Sequence, residues 1–98
     1  MPEIIFHPDV EQEVFDSYKW YQEQAEGLGN DFITELEAAY QAIVEFPETW
    51  PKFGKHCRRF LLGKFPFSVV YKESKDSIFV LSVMHNSREP GYWESRRK

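Results

Sequence analysis

Near its carboxy terminus the chain reads Val83-Met84-His85-Asn86-Ser87-Arg88-Glu89-Pro90-Gly91-Tyr92-Trp93, and this stretch holds the side chains best suited to chemistry. His85 can exchange protons near neutral pH, because an unperturbed imidazole titrates at about 6.5. Arg88, with Arg58 and Arg59 upstream, offers fixed positive charge for a phosphate or carboxylate. Tyr92 and Trp93 can stack on a partner or anchor the tail. Each of these also has a plain structural role open to it. A lone histidine at a strand end more often hydrogen-bonds its own loop than catalyses. Arg88 can pair with Glu89 or Glu94, and aromatics that follow a strand usually pack. Arg58 and Arg59 are adjacent, so on a strand they point to opposite faces and only one can serve a given site.

Cys57 is the only cysteine. His56, Arg58 and Arg59 flank it, but no acid or base stands at a spacing that would make it a nucleophile, and it is read as structural. A single cysteine excludes an intramolecular disulfide and a multi-cysteine zinc site, which makes a reducing cytoplasm the default location. His7, His56 and His85 lack metal-ligand spacing. No metal and no other cofactor is expected.

The elements that must position these groups follow from periodicity. Glu3 to Phe6 suits a short strand. Pro8 fits the first turn of a helix, with Asp9 and Gln12 as a capping-box-like pair. Val10, Val14, Tyr18, Tyr21 and Ala25 then lay one apolar stripe, which Phe15 and Trp20 broaden. Gly27-Leu28-Gly29 breaks that helix, and Asn30 or Asp31 can cap a second one whose stripe is Phe32, Leu36, Ala39, Tyr40 and Ile43. Pro47 ends it. Glu48 to His56 reads as a loop in which Trp50 and Phe53 cover a core edge.

Periodicity then changes to two. Arg59 to Leu62, Phe67 to Glu73 and Ser77 to Met84 read as strands, the last two joined as a hairpin through Ser74-Lys75-Asp76. Ile78 to Met84, apolar on both faces, is expected at the centre, and Pro66 is expected to confine the start of its strand to an edge or bulge. The predicted fold is α+β: an amino-terminal strand, an αα-hairpin packed on a mainly antiparallel four-stranded sheet with no parallel pair, and a short tail docked by Tyr92 and Trp93. Residues 1–98 are expected to form one domain.

Composition agrees with a globular chain, at 42% hydrophobic, 17% aromatic and 29% charged residues. The amino terminus lacks the pattern of a signal peptide, and the longest apolar run, Ile78 to Met84, is far below the roughly 20 residues needed to cross a bilayer. The net charge of -4 hides a division. Residues 1–50 carry twelve acids against the single base Lys19, a net -11, while residues 51–98 carry eleven bases against four acids, a net +7. Such a dipolar field either steers a polyanion or an acidic protein segment to one side, or simply keeps two faces solvated.

The order strand, helical hairpin, three strands and aromatic-basic tail resembles the RelE/ParE superfamily of type II toxins, over nearly the whole chain. The residues that carry the resemblance include Phe32, Leu36 and Pro47, Arg59-Phe60-Leu61, and Phe65-Pro66-Phe67-Ser68-Val69-Val70-Tyr71. Most specific is the ending His85-x-x-Arg88-x-Pro90-x-Tyr92-Trp93, similar to that of ParE-like sequences described as plasmid stabilisation proteins.

The resemblance implies a cytoplasmic toxin that a cognate antitoxin wraps and neutralises in a hetero-oligomer. It also implies one of two targets. ParE-like members poison DNA gyrase with no known catalytic role, and that is the leading expectation. The resemblance then gives Arg58, Arg59, His85, Arg88, Tyr92 and Trp93 as residues that bind target or antitoxin. RelE-like members are metal-independent endonucleases that cleave mRNA on the ribosome. Such cleavage needs a base for the 2′-OH, an acid for the leaving oxygen and cations for the developing charge, and here His85, Arg59 and Arg88 would have to supply them. Basic residues that RelE-like enzymes draw from the second helix and a central-strand arginine are missing, which favours the protein-binding reading. The antitoxin is expected to lie across sheet and hairpin, its acidic groups meeting the basic half, with a strand added at an edge near Gly63 and Pro66.

Overall fold

The computed structural model describes residues 2–88 and 91–96. Strand β1 is Glu3–Phe6, helix α1 is Pro8–Gln24 and helix α2 is Leu28–Glu45. The strands β2, Lys52–Phe53, β3, Cys57–Leu61, β4, Phe67–Glu73, and β5, Ser77–His85, follow, and a 3-10 turn at Glu94–Arg96 ends the described chain. The sheet order is β1-β5-β4-β3-β2. The α+β class and the mainly antiparallel sheet hold, with three differences.

The sheet has five strands rather than four, because Lys52 and Phe53 of the expected loop pair with Arg58 and Cys57. β1 runs parallel to β5, Glu3 opposite Ser77 and Phe6 opposite Val80. Only a hairpin forces antiparallel pairing; β1 and β5 are separated in the chain by both helices and by β2, β3 and β4, which leaves them free to pair in parallel. The middle strand is β4, with β5 beside it. Pro66 therefore sits at neither an edge nor a bulge: it precedes β4, and its carbonyl accepts from the Asn86 N–H. The terminal strands are β1 and β2, and the short β2 pairs only with Cys57 and Arg58, so the Phe60–Leu61 end of β3 beside Gly63 has no described strand outside it.

The helix caps also differ in detail. His7, not Asp9, caps α1, its Nδ1 accepting from the Asp9 N–H at 3.1 Å, while Gln12 binds Asp16. α2 starts at Leu28 behind Gly27, which has φ of 85° and needs no side chain there. Gly29 is the second required glycine. Its N–H donates to Gln22 Oε1 at 2.8 Å, and a Cβ would stand 2.7 Å from the Tyr18 carbonyl oxygen.

One sheet face carries the helices. Val10 and Tyr21 of α1 and Phe32, Leu36 and Ile43 of α2 pack there on Phe67, Val69, Tyr71, Ile78, Val80 and Val83. Phe15 and Trp20 turn outward, 54% and 56% exposed, instead of broadening the stripe. The other face is covered by the tail: Trp93 packs with Cys57, Val70, Leu81 and Met84, bordered by Phe53, Phe79 and Tyr92. The amino-terminal acids thus lie mostly on the helical layer and the bases on the sheet and tail. No described helix is long and apolar enough to cross a membrane.

In the helix-side core Tyr71 donates from its hydroxyl to the Pro47 carbonyl at 2.6 Å. Burial pushes its phenol up to about 12; Arg58 opposes this and Glu73 adds to it. A folded value above the unfolded one means that this contribution is complete below pH 10 and is lost as pH climbs from about 10 to 12. Tyr71→Phe is expected to cost about 1 kcal/mol at pH 7 by removing the partner of a partly buried carbonyl. It should also flatten the alkaline limb of a urea stability profile, though not abolish it, because burial likewise raises Tyr40 and Tyr92. An unchanged alkaline limb would show that Tyr71 does not carry it.

Candidate functional site

Where the candidate side chains point is set by the ladder. Arg58 stands opposite Tyr71 and Arg59 opposite Val70, so the first shares the helix-covered face and the second the tail-covered face, as strand alternation predicts. Arg58 is already engaged. Its Nε donates to Glu73 at 3.1 Å and its Nη1 to the Trp50 carbonyl at 2.8 Å. Arg59 lies with its guanidinium 4.3 Å from the centroid of Phe53, a ring that packs on the far core.

His85 is placed by a bulge. β4 and β5 pair Val70 with Ser82 but Tyr71 with Val80, so Leu81 is an extra residue in the ladder. Past it the faces invert: Val83 and His85 join Ile78 and Val80 on the helix side, and His85 stands opposite Phe67 with ring centroids 5.1 Å apart. Its Nδ1 accepts from the Ser87 N–H at 3.1 Å, with Ser87 Oγ at 2.7 Å. An accepting Nδ1 leaves the proton of the neutral ring on Nε2, so the free nitrogen donates rather than accepts. His85 also lines an open groove of about 460 Å³ with Asp16, Trp20, Tyr21 and Pro66.

Arg88 stacks on Tyr92, its guanidinium 3.5 Å from the ring centroid. Glu89, one of its expected partners, lies outside the described residues. Tyr92 borders the far core and Trp93, 1% exposed, fills it, so both dock the tail. Cys57 is buried in the same cluster. The structure therefore brings Arg88 to Tyr92, puts Arg59 on the same side of the sheet, and sets His85 on the other side. Each of these two guanidinium groups lies over an aromatic ring, an arrangement that favours a fixed cation on that side of the sheet. A proton-transfer pair has to flank one reacting group, and His85 faces away from both arginines.

The centre that the sequence did not reveal is Glu13. Its carboxylate accepts from Ser82 Oγ at 3.2 Å, the Val83 N–H at 3.1 Å, the Tyr92 hydroxyl at 3.2 Å and Arg96 Nη1 at 2.9 Å. Ser82 and Tyr92 also hydrogen-bond each other. Burial raises the Tyr92 phenol, which the Ser82 bond partly offsets. In the sequence Glu13 is one acid among twelve in its half, and its partners lie about 70 or more positions away, so no local pattern marks it.

Comparison with known proteins agrees with this architecture. Residues 4–90 match the family described as ParE toxin of type II toxin-antitoxin system, parDE. Toxin ParE2 of Mycobacterium tuberculosis, in strains CDC 1551 and H37Rv, is 27% identical over 93 residues, covering 91% of this chain and 86% of that protein. Among solved structures, a chain of the chromosomal ParDE toxin-antitoxin system of P. aeruginosa superposes with a TM-score of 0.69 at 12% identity, covering 87% of this chain and 96% of that one. That likeness concerns the fold, whereas the family match runs through the sheet, the hairpin and His85 to Arg88: the chain belongs to the ParE toxin family of type II toxin-antitoxin systems.

Proposed function

We propose that this toxin acts in the cytoplasm by binding DNA gyrase, and that a cognate antitoxin neutralises it in a hetero-oligomer. Arg59, Arg88 and Tyr92 form the contact surface, and Trp93 holds it in place from beneath. The observation that supports protein binding over RNA cleavage is the division of the site: His85 faces the helix side, Arg59 and Arg88 the tail side. The acidic α2, with Asp31, Glu35, Glu37 and Glu45, also offers no cation to a phosphodiester.

Purified toxin incubated with gyrase and relaxed plasmid is expected to block supercoiling and trap a cleavage complex. Unchanged supercoiling with no trapped complex at toxin excess defeats the gyrase reading. Primer extension on translated messages after induction tests the ribosome-dependent alternative. New 5′ ends that vanish in His85→Ala would establish cleavage; the expected result is no new ends and full toxicity in that variant.

A further inference from the structure

The tail lies on the sheet without an element of its own to hold it there. Among the described residues beyond Gly91 there is one 3-10 turn, Glu94–Arg96, and a turn of that length does not persist alone. Trp93 supplies apolar attachment. Register comes from elsewhere.

β1 stops at Phe6, opposite Val80, so β5 runs on past its parallel neighbour. The Val83 N–H on that side has no strand to meet, and Glu13, on the second turn of α1, takes it. The same carboxylate holds Arg96, whose Nη1 also donates to the Leu81 carbonyl at 3.2 Å and whose Nη2 lies 3.6 Å from Asp9. Both Glu13 and Arg96 side chains are only 15% exposed. The Tyr92 ring meets the Glu13 carboxylate through its hydroxyl and lies 5.1 Å from the Arg96 guanidinium. Arg88 rests on that ring.

A largely buried ion pair contributes little net stability compared with an apolar pair of the same shape, and its best-attested use is to fix register. Here it fixes where the tail sits. We propose that Glu13 is a positioning residue of the toxin: its carboxylate latches residues 91–96 to α1 and β5, and so holds the Arg88–Tyr92 stack as the surface that meets the protein target. This rests on the reading that the stack, and not a cleavage site, touches gyrase.

The test uses the full chain with Glu13→Gln, Arg96→Gln and the double variant. Ile43→Val, in the helix-side core, serves as a mildly destabilised control. Hydrogen exchange follows the Glu94 and Arg96 amides, which donate to the Gly91 and Trp93 carbonyls. Each single variant is expected to speed their exchange about tenfold or more while β4 and the β5 amides other than Val83 stay protected. The toxin concentration for half-maximal gyrase cleavage complex should rise about tenfold, and the double variant should be no worse than either single one, because the pair acts as a unit. Ile43→Val should move neither reading.

Tail amides that stay protected in Glu13→Gln overturn the proposal. So does a loosened tail with wild-type potency, or a double variant whose losses add. If the wild-type protein itself traps no complex, the gyrase reading falls instead, and the wild-type control reveals that before any variant is compared.

Discussion

Trp93→Ala is expected to cost about 3–5 kcal/mol, a large share of the roughly 5–15 kcal/mol that holds a domain of this size together. Trp93 is 1% exposed and seals the sheet face formed by Cys57, Val70, Leu81 and Met84, with Phe53 tilted against it at 5.4 Å. Phe53, Phe79 and Tyr92 only border that cluster and are partly exposed, so Trp93 is the large side chain buried at its centre. The indole Nε1 has no hydrogen-bond partner among the described residues, so the contribution is packing alone. Trp93→Phe should therefore lose only about half as much. Urea melts of the two variants check this. A loss below about 1 kcal/mol in Trp93→Ala would show that the tail does not seal the face, and would remove the support beneath the Arg88–Tyr92 stack.

Reversing Arg59 and Arg88 to Glu is expected to slow antitoxin association by about tenfold to a hundredfold at low salt, with about a threefold effect or less on dissociation. Both guanidiniums stand on the tail side of the sheet, in the half of the sequence with a net charge of +7, where an acidic antitoxin segment would be steered. Rim charges act on encounter, whereas apolar anchors set the lifetime. Arg58 is left out of the reversal. It binds Glu73 and the Trp50 carbonyl on the other face, and a glutamate there would repel Glu73 and strand the carbonyl. Stopped-flow mixing at two salt concentrations decides: a double variant that associates as fast as wild type at low salt shows that the antitoxin lands elsewhere.

The sequence alone settled what depends on neighbours a few positions apart. The stripe from Phe32 through Leu36 to Ile43 marked the buried face of α2, and all three are 2% exposed or less, because apolar residues at helical spacing have one way to leave water together. Alternation alone sent Arg58 and Arg59 to opposite faces. The aromatic ending, with no helix long enough to stand by itself, foretold a docked tail, and the closing motif pointed to the family. Pairing direction was not legible, since β1 and β5 are separated by two helices and three strands and no single turn joins them. The face of His85 was decided by the extra residue Leu81. Strict alternation would have set it with Leu81 and so on Arg59's side, but one unpaired residue flips every side chain beyond it. Glu13 was invisible for a related reason: its role exists only where β1 ends short of β5, and it is tertiary packing that brings a helix carboxylate, a strand N–H and a tail arginine to one point.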